Sequence, residues 1–307
     1  MNRIWLSGDA VVDLIPEGES TYLKCPGGAP ANVAVAAARL QSDSAFFGRV
    51  GNDPLGRFMK QVLQKEGVNT DHLVLDEDQR TSTVIVDLDD SGERSFTFMV
   101  KPSADQFLQS SDIPEFHANQ WLHLCSISLA NEPSRSSTFE AIERIKAAGG
   151  HVSFDPNLRE EVWVNPSEIK PVVLKALAQA DVVKFSEEEL LFLTETNSLE
   201  AGIKQLSLFG NTLVLITMGA KGALVIQNGS ETLITGKPVQ PIDTTGAGDA
   251  FVGGLIARLA QSNNWSEPDI VAEAVMWGNS CGALATTKKG AMTALPTKAA
   301  LLEYIES

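Results

Sequence analysis

Apolar residues in this chain fall into short runs of strand length, set apart by stretches whose apolar positions repeat at helical spacing. Residues 4–6 read as a first strand ending at Gly8-Asp9, with further short apolar runs at 11–15 and 22–25. After a Gly27-Gly28 turn, the alanine-rich stretch from Asn32 to Leu40 predicts a helix slim enough to lie close on a sheet. Residues 45–50 predict another strand and 53–66 another helix. The rhythm breaks at 81–100. Apolar runs at 83–88 and 94–100, with Asp89-Asp90-Ser91-Gly92 as a turn between them, predict a β-hairpin. Together with 11–25 it would make a small separate sheet, a candidate lid formed by segments near 11–25 and 81–101. Strand–helix alternation then returns, with strands predicted at 121–125, 151–154, 181–185, 212–217 and 223–226 and helices at 133–148 and 169–179. Strands separated by helices of ordinary length predict an α/β fold, a mostly parallel sheet covered on both faces.

Composition narrows the class. The 307 residues, 43% hydrophobic and 21% charged, suit a globular chain and a single domain over 1–307 with a small appendage. A balance of 24 basic against 39 acidic residues gives a net charge of −15, which speaks against a nucleic-acid surface and against docking on anionic lipid. An anionic substrate must then be held by local donors. Cys25, Cys125 and Cys281 are scattered without metal-ligand spacing, so reduced thiols and a cytoplasmic location are expected. The N-terminus enters a strand directly, with no signal peptide, and no apolar run reaches membrane-spanning length.

Ligands of parallel sheets bind beyond the carboxyl ends of the strands. Asp9, Asp155-Pro156-Asn157, Lys184 and Thr217-Met218-Gly219 all follow predicted strands. The most informative stretch is Asp243-Thr244-Thr245-Gly246-Ala247-Gly248-Asp249. Gly246 and Gly248 permit a tight turn whose N–H groups, at the mouth of a helix starting near Asp249, can wrap an anion. A carboxylate is repelled by a stored phosphate, but it suits a base that takes a proton from a hydroxyl attacking that phosphate. A glycine loop with an Asp helix cap fits the same residues. Asp9 and Asp13 can present carboxylates to a polyol, or form Asx turns. Gly27, Gly28 and Asn32 combine close backbone approach with an amide that donates and accepts. Arg159, just past a strand, suits phosphoryl oxygens. Lys184 and Glu187 put a cation and a carboxylate near a helix start, Glu187 either holding Mg²⁺ through water or complementing the helix end. His72, His117, His123 and His151 form no pair at ligand spacing, and His123 and His151 are expected in the core. A Walker loop, a dinucleotide fingerprint and a serine-hydrolase elbow are all missing from the sequence.

These same residues carry a resemblance to the ribokinase-like (PfkB) sugar kinases over essentially the full chain. Gly27-Gly28-Ala29-Pro30-Ala31-Asn32, followed by Gly48-Arg49-Val50-Gly51-Asn52-Asp53-Pro54-Leu55-Gly56, resembles the N-terminal signature. The 243–251 stretch resembles the C-terminal one. Segments 23–29, 92–98 and 289–296 are similar to bacterial fructokinases and to aminoimidazole riboside kinase. The resemblance implies a three-layer α/β/α sandwich with a nine-stranded sheet, a β-sheet lid over the sugar, and commonly a homodimer formed through the lids. It implies transfer from MgATP to the 6-hydroxyl of D-fructose, giving fructose 6-phosphate. Aminoimidazole riboside phosphorylation, another PfkB-family sugar or nucleoside kinase, and a sugar-binding regulator without turnover are the alternatives. Asp249 would be the base, with Gly246, Ala247 and Gly248 as the anion hole. Asp13, Gly28 and Asn32 would bind sugar, with Asp9 and Gly27 nearby and Phe98 packed on it. Arg159 would lie near the phosphates. Thr217, Gly219 and Gly222 match the nucleotide loop and Asn279 the region beside the adenine. Asp243 and Thr245, with the loop around Gly290, match a monovalent-cation (K⁺) site. The family's Asn-x-x-Glu is read at Lys184 and Glu187, the lysine facing the ATP phosphates and the glutamate organising magnesium water.

Overall fold

The computed structural model describes residues 2–18, 20–88, 94–206 and 210–307, leaving aside the side chains of 88 and 94–96. Its strands are β1 (Ile4–Ser7), β2 (Val11–Pro16), β3 (Tyr22–Gly27), β4 (Ser44–Gly51), β5 (Asn69–Asp76), β6 (Thr83–Leu88), β7 (Arg94–Phe98), β8 (Trp121–Cys125), β9 (His151–Asp155), β10 (Val182–Ser186), β11 (Leu213–Thr217), β12 (Ala223–Gln227) and β13 (Ser230–Ile234). The helices are α1 (Ala29–Arg39), α2 (Pro54–Lys65), α3 (Ser134–Ala147), α4 (Ile169–Leu177), α5 (Glu187–Thr194), α6 (Leu199–Leu206), α7 (Ala247–Leu259), α8 (Pro268–Thr286), α9 (Ala291–Ala294) and α10 (Lys298–Glu306).

Nine strands form one sheet in the order β13-β12-β11-β10-β9-β8-β1-β4-β5. It is parallel from β11 to β5, and β12 and β13 close one side as antiparallel strands. Neighbouring residues of a strand face opposite sides. Ile4 and Leu6 therefore join a core with Trp121, Leu213 and helices α1, α7 and α8. Trp5 between them turns to a second core with Phe47, Phe154 and helices α3 and α4. Two buried faces make three layers, as expected. His123 meets Ser153 Oγ at 3.1 Å, and the His151 ring lies 5.0 Å from Trp121 and 5.4 Å from Trp265. His123 is buried in the core as expected, whereas His151 is half-buried at the start of β9. Among the described residues no helix is long and apolar enough to cross a membrane, and no group of three or more His, Cys, Asp or Glu is poised to hold a metal.

A second sheet, β3-β2-β6-β7, stands beyond the carboxyl end of β1. The predicted hairpin supplies β6 and β7, and its turn, Asp89 to Gly92, lies outside the described residues. Register aligns Cys25, Asp13, Val84 and Phe98 across this sheet. The last three line one cavity. On the other face Leu14 packs on the main core and Lys24 Nζ sits 3.8 Å from the Phe58 ring centroid of α2.

Candidate active site

The glycine turn before α7 is held in place from outside. Gly246 caps the helix at φ 77°, the left-handed region, and a Cβ there would fall 2.9 Å from Ala291 Cα. Asp243 straps the turn to the next loop. Its Oδ1 accepts from Thr245 N at 3.0 Å and Thr245 Oγ1 at 2.7 Å, while Oδ2 accepts from Gly290 N at 2.9 Å. The first N–H groups of a helix lack carbonyl partners of their own. Within the turn the Ala247 N–H reaches Thr244 O at 3.2 Å.

Asp249 stands in the first turn of α7, where Asn32 Nδ2 donates to its Oδ2 at 2.8 Å. Burial pushes the Asp249 carboxyl up to about 6, against the opposing pull of that hydrogen bond and of Lys184 and Arg159. Asn32 itself is 4% exposed, and its Oδ1 is buried with no partner among the described residues. An acceptor left bare beside the candidate base marks a place for a donor such as a hydroxyl. Lys184 Nζ donates to Asp155 Oδ2 at 2.9 Å. Burial works against that ammonium, but Asp155, Glu189 and Asp249 hold it charged, above the usual lysine value.

These groups open onto a cavity of about 520 Å³. Asp9, Asp13, Gly28, Asn32 and Phe98 line it, together with Thr245, Gly246, Gly248 and Asp249 of the turn and with Arg159 and Lys184. Gly28, at φ 96°, lets α1 start against β1, since a Cβ there would lie 2.5 Å from Asp9 O. Gly27 does not line the cavity. It leaves room for a neighbour that does, a Cβ at Gly27 falling 2.5 Å from Asp13 Oδ2. Asp9 is 4% exposed, and burial, with the charge of Asp105, pushes its carboxyl up to about 7. A smaller cavity of about 200 Å³ shares Asp9, Val11, Phe98 and Ile127 and continues to Asp105 and Trp163. The sequence reading missed Asp105, a buried carboxylate that accepts from Ser103 Oγ and Gln106 Nε2, both at 2.6 Å. It follows no strand, so nothing in the pattern marked it.

The Asn-x-x-Glu reading also shifts. Glu187 is the first residue of α5 and is not among the cavity-lining residues, whereas Ser186 and Glu189 are. A capping box is the reason: Ser186 Oγ accepts from Glu189 N at 3.1 Å, and Glu189 Oε2 accepts from Ser186 N at 2.9 Å. That bond folds the Glu189 carboxylate back over the helix start. The same spacing is thus met two residues later, by Ser186 and Glu189, and Lys184 is a separate feature. Thr217, Gly219, Gly222 and Asn279 lie outside the main cavity but near one another. Thr217 is the register partner of Ser186, and Gly222 and Asn279 both approach Ile234 O, Asn279 Nδ2 at 2.8 Å.

Residues 1–298 match the pfkB family carbohydrate kinase profile. A fructokinase of Vibrio alginolyticus is 65% identical over 305 residues, covering 99% of this chain and 99% of that one. A double mutant of fructokinase from Vibrio cholerae O395, in its fructose-, ADP- and potassium-bound form, superposes with a TM-score of 0.96 at 64% identity, covering 99% of this chain and 98% of that one. Aminoimidazole riboside kinase from Salmonella enterica, complexed with aminoimidazole riboside and an ATP analogue, gives 0.94 at 41% identity over 100% of both chains.

Proposed function

Because this chain belongs to the pfkB family of carbohydrate kinases, we propose that it transfers the γ-phosphoryl group of ATP to the 6-hydroxyl of D-fructose. The observation that carries the reading is Asp249, half-buried at the mouth of α7 beside the bare Asn32 Oδ1 and over the glycine turn. A sugar lying against Asp9, Asp13, Gly28 and Asn32 brings a hydroxyl to Asp249. Asp249 takes the proton, the oxygen bonds to the γ-phosphorus, and ADP leaves with the electron pair of the broken bond. Gly248 and Asp249 N–H groups hold the equatorial oxygens. The second sheet acts as the lid. ATP extends from the turn past Arg159 and Ser186 towards Thr217, Gly222 and Asn279. Glu189, which lines the cavity, fits a hydrated Mg²⁺. Bound with ATP, that ion neutralises phosphate charge.

A coupled assay of ADP release with fructose, ribose, glucose and aminoimidazole riboside tests the assignment, fructose giving the highest kcat/KM. A second reading, aminoimidazole riboside as substrate, draws on the smaller cavity beside the sugar end, which has room for a ring attached to a furanose. A ten-fold preference for the riboside would put it first.

Three expectations follow. The base must be ionised, so kcat/KM falls as pH drops through about 6, and Asn32→Leu, which removes a bond that lowers the Asp249 carboxyl, moves that limb upward. An unmoved limb would detach it from Asp249. K⁺ bound by backbone carbonyls of the Asp243–Thr245 and Gly290 loops raises kcat by fixing the turn; equal rates in K⁺ and a bulky organic cation at matched ionic strength would contradict this. Tyr22, Leu23 and Met99, at or beside the second sheet, are 55%, 49% and 56% exposed, and a two-fold dimer formed through the lids covers them. Light scattering should give the dimer mass at micromolar protein, and a monomer with and without fructose would exclude it.

A further inference from the structure

We infer that Lys184 is a catalytic residue whose ammonium takes up charge developing on the transferred phosphoryl group, and that Asp155 positions it. This rests on the kinase reading above and goes beyond it by assigning Lys184 to the transition state rather than to ATP binding.

The fold gives no reason of its own for a lysine here. Val183 and Phe185 on either side enter the apolar core, and buried ion pairs can often be replaced by apolar residues at no loss of stability. Lys184 nevertheless keeps its charge with a side chain 10% exposed, against an Asp155 side chain 5% exposed. An ammonium has three donors. Among the described residues Lys184 Nζ makes one hydrogen bond, to Asp155 Oδ2, which leaves donors for the cavity it lines. Nζ lies 3.5 Å from the point a Cβ on Gly248 would occupy, so the ammonium and the Gly248 backbone border the same space. The pair is also left open: Asp155 Oδ1 is buried without a partner among the described residues, whereas a purely structural polar network is expected to be satisfied throughout.

The charges around this ammonium are consistent with the role. Asp155 on β9, Glu189 on α5 and Asp249 on α7 favour it, and burial keeps His123 on β8 uncharged, its basicity lowered to about 3. Asp155 therefore holds Lys184 both in place and protonated. In the transfer step the proton goes from the hydroxyl to Asp249, and the Lys184 donors meet a non-bridging oxygen of the phosphoryl group in flight.

Lys184→Met tests this in the full-length protein. Loss of one preorganised donor at a developing anion costs about 10²–10³ in kcat, with KM for ATP and fructose changed by less than about three-fold. It should also move the acid limb of kcat upward, because Lys184 helps to keep Asp249 ionised. The single variant leaves Asp155 unpaired and is expected to melt lower. The double variant Lys184→Met/Asp155→Asn removes both charges, should recover stability, and should stay as slow as Lys184→Met. Recovery of kcat in the double variant to within five-fold of the natural protein would make the pair structural and overturn the inference, as would a Lys184→Met defect confined to KM for ATP. Asp155→Asn alone provides a readout independent of those variants' folding: freed of its partner, Lys184 loses its proton more easily, so kcat should fall at lower alkaline pH. An unchanged alkaline limb would remove Asp155 as the positioning residue. Failure of the natural protein to phosphorylate fructose would instead count against the kinase reading itself.

Discussion

Asp249→Asn is expected to lower kcat by about 10²–10⁴-fold, the usual contribution of a positioned base, while fructose and MgATP still bind. Asparagine keeps the shape and can still accept from Asn32 Nδ2, so the site should remain assembled. The same substitution should raise thermal stability at pH 7.5. Burial lifts the Asp249 carboxyl from 3.8 to about 6, so the folded state binds this proton more readily than the unfolded chain. Its favourable contribution is complete below the unfolded value and is lost as pH rises through the folded one. At pH 7.5 the chain therefore holds a half-buried, ionised carboxylate, and asparagine relieves it. The gain in melting temperature should shrink as pH is taken towards 5. Opposite signs for activity and stability distinguish a functional carboxylate from a helix cap, for which asparagine serves as well as aspartate. A kcat within five-fold of the natural protein would take Asp249 out of the mechanism.

Gly246→Val is expected to cost at least about 100-fold in kcat, the scale of a lost anion-hole donor. A β-branched residue strongly resists the φ of 77° seen here, and its Cβ would fall 2.9 Å from Ala291 Cα. The turn must move, and with it the N–H groups of Gly248 and Asp249. Asp13 and Gly28 belong to other elements, so fructose should bind with nearly unchanged Kd by calorimetry. Retained sugar binding also shows that the variant is folded. A kcat within three-fold of the natural protein would mean that the turn's geometry does not matter to the transfer.

Much of this site was legible in the chain because its polar residues sit where apolar strands stop. Asp9, Lys184 and Thr217 were found that way. The glycine turn could be read because positive φ and a crowded Ala291 leave few alternatives to glycine at 246. Strands buried on both faces announce themselves by unbroken apolar runs, as at residues 213–216 of β11. By contrast β13, Ser230–Ile234, is largely exposed, and β5, Asn69–Asp76, mixes polar and apolar residues at one side of the sheet; neither showed a usable pattern. The shift from Glu187 to Glu189 was hidden for a different reason. Three consecutive glutamates open α5; Glu188 and Glu189 line the cavity, and it is a capping hydrogen bond, not spacing, that fixes Glu189 over the helix start. Asp105 could not be found from the pattern, since only the packing of a strand-free segment against Ile127 and Asn131 brings it behind the sugar end.

The central claim is that ATP's γ-phosphoryl group reaches the primary hydroxyl at C6 of fructose in this cavity. A phosphorus–proton correlation spectrum of the product formed from fructose, MgATP and the protein tests it most directly. The account predicts a single sugar phosphate with phosphorus coupled to the C6 protons, formed in step with ADP. Coupling to the C1 protons, or ADP release without any sugar phosphate, would contradict it.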